Sequence, residues 1–182
     1  MRFVLILLIL LLVGIGGGVF VYRARHSSVP TVPAPKIYVY TNPTYGYSFR
    51  RPQSWSASQS NARDTSQTAS QRDAAIVFSR DGQSQLTVQV TDKTKAGDIS
   101  LDQFATDSIT PKDQVTISDK TAYKVGGLDG IREKVVITDP GYSGLVYFTQ
   151  DKNYFYTFYT TKSYELQDVV VALAYFQPKA TP

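Results

Sequence analysis

Cysteine is absent from all 182 residues, and histidine occurs once, at His26. The first absence excludes disulfides, cysteine-ligated zinc, a thiol nucleophile and a lipid attached through a lipobox cysteine. The second leaves neither a Ser-His pair nor a histidine metal site in the body of the chain. A Ser-Lys pair survives this elimination. Acidic residues are missing from the first 35 positions, which carry Arg2, Arg23 and Arg25, so the remainder holds sixteen basic against fifteen acidic groups. A nearly neutral domain provides no overall basic surface to neutralise phosphates, leaving room only for a local patch made by clustering, and nucleic acid is not an expected partner. With 42% hydrophobic and 19% charged residues the chain lies in the globular range. One Trp and one Met stand against thirteen Tyr and nine Phe, a balance that favours strands over helices.

What is present begins with Phe3 to Tyr22, twenty residues without a charge. At 1.5 Å per residue a helix of that length crosses a hydrocarbon core of about 30 Å with its backbone hydrogen bonds satisfied internally. A cleaved signal peptide is the alternative, with Phe3 to Val13 as its apolar region and Gly16 and Gly18 at cleavage spacing. The apolar run continues through Val19, Phe20 and Val21 and stops at Arg23 and Arg25, which suits a retained anchor better. Counting positive flanks leaves the following domain in the cytoplasm. The very short N-terminal tail and the character of the linker favour export instead. The expectation is a single-pass cell-membrane protein, partnered with the bilayer through residues 3–22, its domain on the extracytoplasmic side. Residues 23–35 have three prolines in six positions and form a solvated, extended spacer that includes His26. The expected organisation is an anchor at 1–22, a linker at 23–35, a globular domain at 36–178 and a tail at 179–182.

Within the domain, Ile37 to Tyr40 and Tyr47 to Arg50 read as strands around a turn at Asn42-Pro43-Thr44-Tyr45-Gly46, with Pro52 ending the pairing. Ser58 to Arg72 is polar and reads as a loop. Ala74 to Ser79 and Leu86 to Val90 flank Asp81-Gly82 as a hairpin. Ser100 and Gln103 form a capping box for a helix that buries Leu101, Phe104, Ala105 and Ile109. Strands are then expected at Gln114 to Ile117, Ala122 to Val125, Gly130 to Thr138, Leu145 to Gln150 and Tyr154 to Thr161, with turns at Asp139-Pro140-Gly141 and Asp151-Lys152-Asn153. A last helix from about Tyr164 to Phe176, with Ser163 as a cap, carries Leu166, Val169, Val170, Leu173 and Phe176 on one stripe. Strands, helix, strands, helix is the order of an α+β fold with an antiparallel sheet.

The segment Tyr40 to Trp55 (YTNPTYGYSFRRPQSW) resembles the opening of PsbP-like domains, in the wider Mog1/PsbP/DcrB-type fold. Tyr47, Phe49, Pro52 and Trp55 carry the resemblance. Gly126-Gly127-Leu128-Asp129-Gly130, the aromatic hairpin Tyr147 to Tyr159 and a C-terminal helix ending at Phe176 agree with it. The likeness covers residues 37 to 177. It implies a central antiparallel β-sheet flanked by helices, an α/β/α sandwich, and an accessory or binding role. Arg51 departs from the pattern, where an aromatic commonly precedes the proline. Pro52 and Trp55 also have a plain structural reading, a strand terminator and an apolar plug whose indole finds one hydrogen-bond partner.

No catalytic, metal or cofactor set stands out. A carboxylate site would have to be assembled from Asp129, Glu133 and Asp139, the basis of the alternative reading as an envelope enzyme. The other feature above background is the aromatic strand Tyr154 to Tyr159. Alternation sends Tyr154, Tyr156 and Phe158 to one face and Phe155, Thr157 and Tyr159 to the other. Either these side chains fill a core beneath helices, or Tyr154, Tyr156 and Tyr159 line an aromatic surface for a peptide or glycan. The favoured expectation is a membrane-tethered binding or accessory module with an envelope protein as partner.

Overall fold

Tight turns set the strand lengths in this chain, and the alternation between them sets which side chains meet. A computed structural model describes residues 36–59, 75–109, 115–138 and 142–179. The anticipated membrane helix at 3–22, the 23–35 linker, most of the polar loop and the Asp139-Pro140-Gly141 turn lie outside the described residues. No helix among the described residues is long and apolar enough to cross a membrane.

The first two strands, β1 (Ile37–Thr41) and β2 (Ser48–Pro52), form a separate hairpin, Ile37 opposite Pro52 and Thr41 opposite Ser48. Asn42 closes it. The Asn42 Oδ1 accepts from the backbone N–H groups of Thr44 at 2.9 Å and Tyr45 at 2.8 Å, while its amide reaches the Tyr47 hydroxyl at 3.3 Å. An Asx side chain thus satisfies backbone donors that the turn would leave bare.

The main sheet is fully antiparallel, with seven strands in the order β3-β4-β5-β9-β8-β7-β6. They are β3 (Ser56–Gln59), β4 (Ile76–Arg80), β5 (Gln83–Asp92), β6 (Val115–Val125), β7 (Leu128–Ile137), β8 (Tyr142–Gln150) and β9 (Tyr154–Thr160). Asp81 and Gly82 both take positive φ, as a two-residue hairpin turn requires. The two strands expected at Gln114 to Ile117 and Ala122 to Val125 are one, β6. It is interrupted by a bulge between Ser118 and Thr121, with Asp119 at φ 52°. The four polar residues Ser118 to Thr121 interrupt the apolar pattern and divide it in the sequence; in space they form a kink within one strand. β3 is not signalled by the sequence, because its four residues are exposed and only Ala57 is apolar; it takes Ser58 and Gln59 from the segment that reads as a loop.

Among the described residues, three helical segments accompany the strands. The single turn α1 (Lys93–Ala96) follows β5, capped by Asp92 through a hydrogen bond from the Thr94 N–H at 2.8 Å. In α2 (Leu101–Ser108) Ser100 caps as expected, accepting from the Gln103 N–H at 3.1 Å. The reciprocal half of the capping box is not made, since the Gln103 side chain donates to Asp107 at 2.7 Å, one turn further along.

The last helix, α3 (Gln167–Ala174), is shorter than its stripe suggests. Ser163 does not cap it, and Leu166 stands at the N-cap without a side-chain bond. Residues just before it are held by the sheet: the Lys162 carbonyl accepts from the Leu145 N–H and the Thr160 hydroxyl, and Glu165 pairs with Arg132 at 2.7 Å. Val169, Ala172 and Leu173 are buried, and Val170 is only half-buried.

These elements make two cores, one on each face of the sheet. On one face α3 and the β1–β2 hairpin cover Phe78, Leu86, Val88, Tyr147, Tyr156 and Phe158; on the other, Phe104, Ala105 and Ile109 pack on Val135, Val146, Phe148 and Phe155. The architecture is α+β, mostly β-sheet with a few helices.

Candidate functional site

The aromatic strand is divided by its own alternation. Tyr156 is fully buried, its ring 5.0 Å from Phe176 and 6.0 Å from Tyr47, and its hydroxyl donates to Asp151 at 2.7 Å. Tyr154 is half-buried on the same face, edge-on to Tyr45 at 5.6 Å. Tyr159 is half-buried against the other core, so the three tyrosines do not share one surface. Desolvation by burial pushes the Tyr156 hydroxyl far above the ordinary phenol value, and the Asp151 carboxylate beside it adds to the shift. Burial does the same to Tyr47 and Tyr147. A phenol held neutral and stacked this way is packing material.

Tyr47, Phe49 and Trp55 belong to the core between the hairpin and the sheet, with Tyr47 and Phe49 stacked at 4° between ring planes and Trp55 beside Phe78 at 6.2 Å. Pro52 pairs with Ile37, and its carbonyl accepts from the Trp55 N–H at 3.2 Å, which folds the P-x-x-W segment into one tight turn. Arg51, the departure from the aromatic pattern, closes that turn: its Nη1 donates to the carbonyls of Trp55 and Pro52. The expected partner for the indole is not found, since Trp55 Nε1 is buried without an acceptor among the described residues. The pocket that excludes water from the ring also excludes it from the N–H.

Of the carboxylates singled out in the sequence, Glu133 and Asp129 are separated from one another, and each is joined to a lysine. Glu133 is 1% exposed, and its Oε1 lies 3.3 Å from the Lys120 ammonium, which also contacts Asp102 of α2 at 2.7 Å. The β6 bulge produces this contact, because it sets Asp119 and Lys120 together opposite Glu133 of β7. The hydrogen bond to Asp102 raises the Lys120 pKa above the ordinary lysine value; desolvation opposes the rise and the bond to Glu133 adds to it. Glu133 Oε2 has no partner among the described residues. Asp129 pairs with Lys124 at 2.5 Å on the exposed end of the hairpin. Four residues along β7 separate it from Glu133, about 13 Å at strand rise, beyond the spacing of paired catalytic carboxylates. Asp139 lies outside the described residues.

Sequence reasoning singled out Glu133 without Lys120 or Asp102, because nothing in Ser118 to Thr121 signals a bulge that turns a lysine inward. No group of three His, Cys, Asp or Glu that could hold a metal occurs among the described residues. A shallow, open depression of about 380 Å³ lies at α1, lined by Lys93, Thr94, Gly97, Asp98 and Ile99. Its ammonium, Lys93 Nζ, sits 4.9 Å over the Phe155 ring and serves the second core.

No family model matches the sequence, and no curated protein matches it. Among solved structures the chain is similar to the solution structure of cyanobacterial PsbP (CyanoP) from Synechocystis sp. PCC 6803, with 16% identity and a TM-score of 0.47. The match covers 85% of this chain and 99% of that one.

Proposed function

We propose that this protein is a membrane-tethered, extracytoplasmic accessory module that works by binding an envelope protein rather than by catalysis. The observation that carries this reading is the pairing of its acids. Glu133 and Asp129 each face a lysine at opposite ends of a strand segment, and Asp102, the acid that does approach Glu133, meets it through the shared Lys120 ammonium, whereas a carboxylate enzyme needs two acids converging on a substrate cavity. The filled cores add support, because the aromatic residues that would have lined a ligand groove are spent in packing. Tethering is supported by the uncharged run Phe3 to Tyr22 and the basic stop after it. Export is supported by the proline- and serine-containing linker.

Photo-crosslinking from exposed positions of the full chain in intact membranes tests it. The expected result is a discrete protein adduct, retained in Glu133→Gln. The reading fails if a turnover is found that Glu133→Gln abolishes while the fold is kept. One observation favours that enzyme alternative, the partnerless Oε2 of the buried Glu133. Alkaline carbonate extraction tests the tether, and protease added to intact cells tests the orientation: an external domain is released by cleavage within residues 23–35.

A further inference from the structure

The first acidic residue of the chain is Asp64, and before it stand Arg2, Arg23, Arg25, Lys36, Arg50, Arg51 and Arg63. From Asp64 onward fifteen acidic residues outnumber twelve basic ones. The positive surplus therefore belongs to the N-terminal third, and its described part is the β1–β2 hairpin, which has no carboxylate of its own.

That hairpin also presents the most exposed large aliphatic side chains among the described residues. Ile37 is 53% and Val39 68% exposed. The register sets Ile37 opposite Pro52 and Val39 opposite Arg50, so these four share the face turned away from the core. Arg50 extends the patch sideways, its guanidinium 3.9 Å over the ring of Tyr175, which is 48% exposed. Basic, aromatic and aliphatic groups side by side without an acid match the headgroup region of an anionic bilayer. Arginine attracts phosphate there, tyrosine places its amphipathic ring at the boundary, and short aliphatics enter the outer acyl region.

We propose that the outer face of this hairpin, with Ile37, Val39, Arg50 and Tyr175, docks on the anionic lipid surface beside the tether. The inference rests on the membrane-tethered reading. Thirteen residues separate Tyr22 from Lys36, and fully extended they span at most about 45 Å, which limits how far the hairpin can stand from the tether. Confinement within that distance makes the contact effectively intramolecular, and a surface too weak to bind lipid as a free domain is then occupied. A protein partner fits less well, since a stable interface needs roughly 800 Å² per side and this patch is four side chains wide.

The lack of cysteine makes the test clean. The full chain with Val39→Cys, carrying an environment-sensitive nitrobenzoxadiazole label, is reconstituted in phosphatidylcholine vesicles with or without phosphatidylglycerol and with nitroxide-headgroup lipid. Label at Ile37→Cys repeats the measurement, and label at Thr106→Cys, on α2 across the sheet, is the control. Docking predicts a blue shift and several-fold stronger quenching at positions 37 and 39 than at 106 in anionic vesicles. Added salt or Arg50→Glu should reduce it. Unchanged Trp55 emission verifies the fold of each variant. Release of the chain by carbonate overturns the tether, and the docking with it. Retention with equal quenching at 37, 39 and 106 overturns the docking alone. Protection of residue 39 in native membranes but not in pure lipid overturns it in favour of an acidic protein.

Discussion

The Gly126 amide donates to the Leu173 carbonyl at 2.8 Å, joining the β6–β7 turn to the last turn of α3. The approach is so close that a Cβ on Gly126 would lie 1.8 Å from the Phe176 carbonyl oxygen. Gly126→Ala must push the helix end away from the sheet and should cost more than about 2 kcal/mol. Gly127→Ala shares the positive φ but meets nothing within 4 Å, so only backbone strain of roughly 1–2 kcal/mol is expected. Urea unfolding of the two variants separates contact from conformation.

Trp55 fills the space between the hairpin and β4, and Trp55→Ala should cost about 3–5 kcal/mol as an unfilled cavity. Arg51→Ala removes a charged donor from two carbonyls and should cost roughly 1–2 kcal/mol, less than the plug it supports. Tyr147→Phe should be neutral or slightly stabilising, because the Tyr147 hydroxyl is buried without a partner among the described residues. Denaturant midpoints at constant slope would establish all three.

Breaking the Lys120 contact should reveal how much Glu133 depends on it. Lys120→Met leaves a carboxylate at 1% exposure without its cation, at an expected cost of about 1–3 kcal/mol. The figure stays below that of a fully buried pair because the Lys120 side chain is 39% exposed. Glu133→Leu removes the charge together with the need for it and should be close to neutral. If Lys120→Met and Glu133→Leu destabilise equally, the pair is packing rather than charge compensation.

Alkaline pH should destabilise the domain with a defined sign. Burial raises the folded-state pKa of Tyr47, Tyr147 and Tyr156, so their stabilisation is complete below the unfolded value near 10 and is lost above it. Above that pH the unfolded chain holds fewer protons than the native one, and stability falls by as much as about 4 kcal/mol per pH unit for three such groups. Absorbance near the phenolate band during titration would show these three ionising only on unfolding. Their smooth ionisation in the folded protein would contradict the burial.

Some of this was legible in the sequence and some was not, for physical reasons. Asp81-Gly82 marks its own turn, because few dipeptides adopt two positive φ angles. The alternation in Tyr154 to Tyr159 assigns faces correctly, since period two is inherent to a strand. The start of α3 was misplaced because its apolar stripe runs back to Leu166, while bonds from Leu145, Thr160 and Arg132 hold the preceding residues outside the helix. The Asp102–Lys120–Glu133 group was not legible, because its members lie on three elements and meet only through a bulge. Arg51 looked like a departure from a pattern; its backbone contacts explain its place only once the turn is seen.

The bulge in β6 has a consequence for the open edge of the sheet. β6 is the outermost strand on its side of the sheet, and eleven residues of extended backbone would offer another molecule a long template for pairing. Asp119, at φ 52°, breaks that template into two short runs. A single left-handed residue on the rim therefore shortens the backbone runs that another strand could pair with along β6.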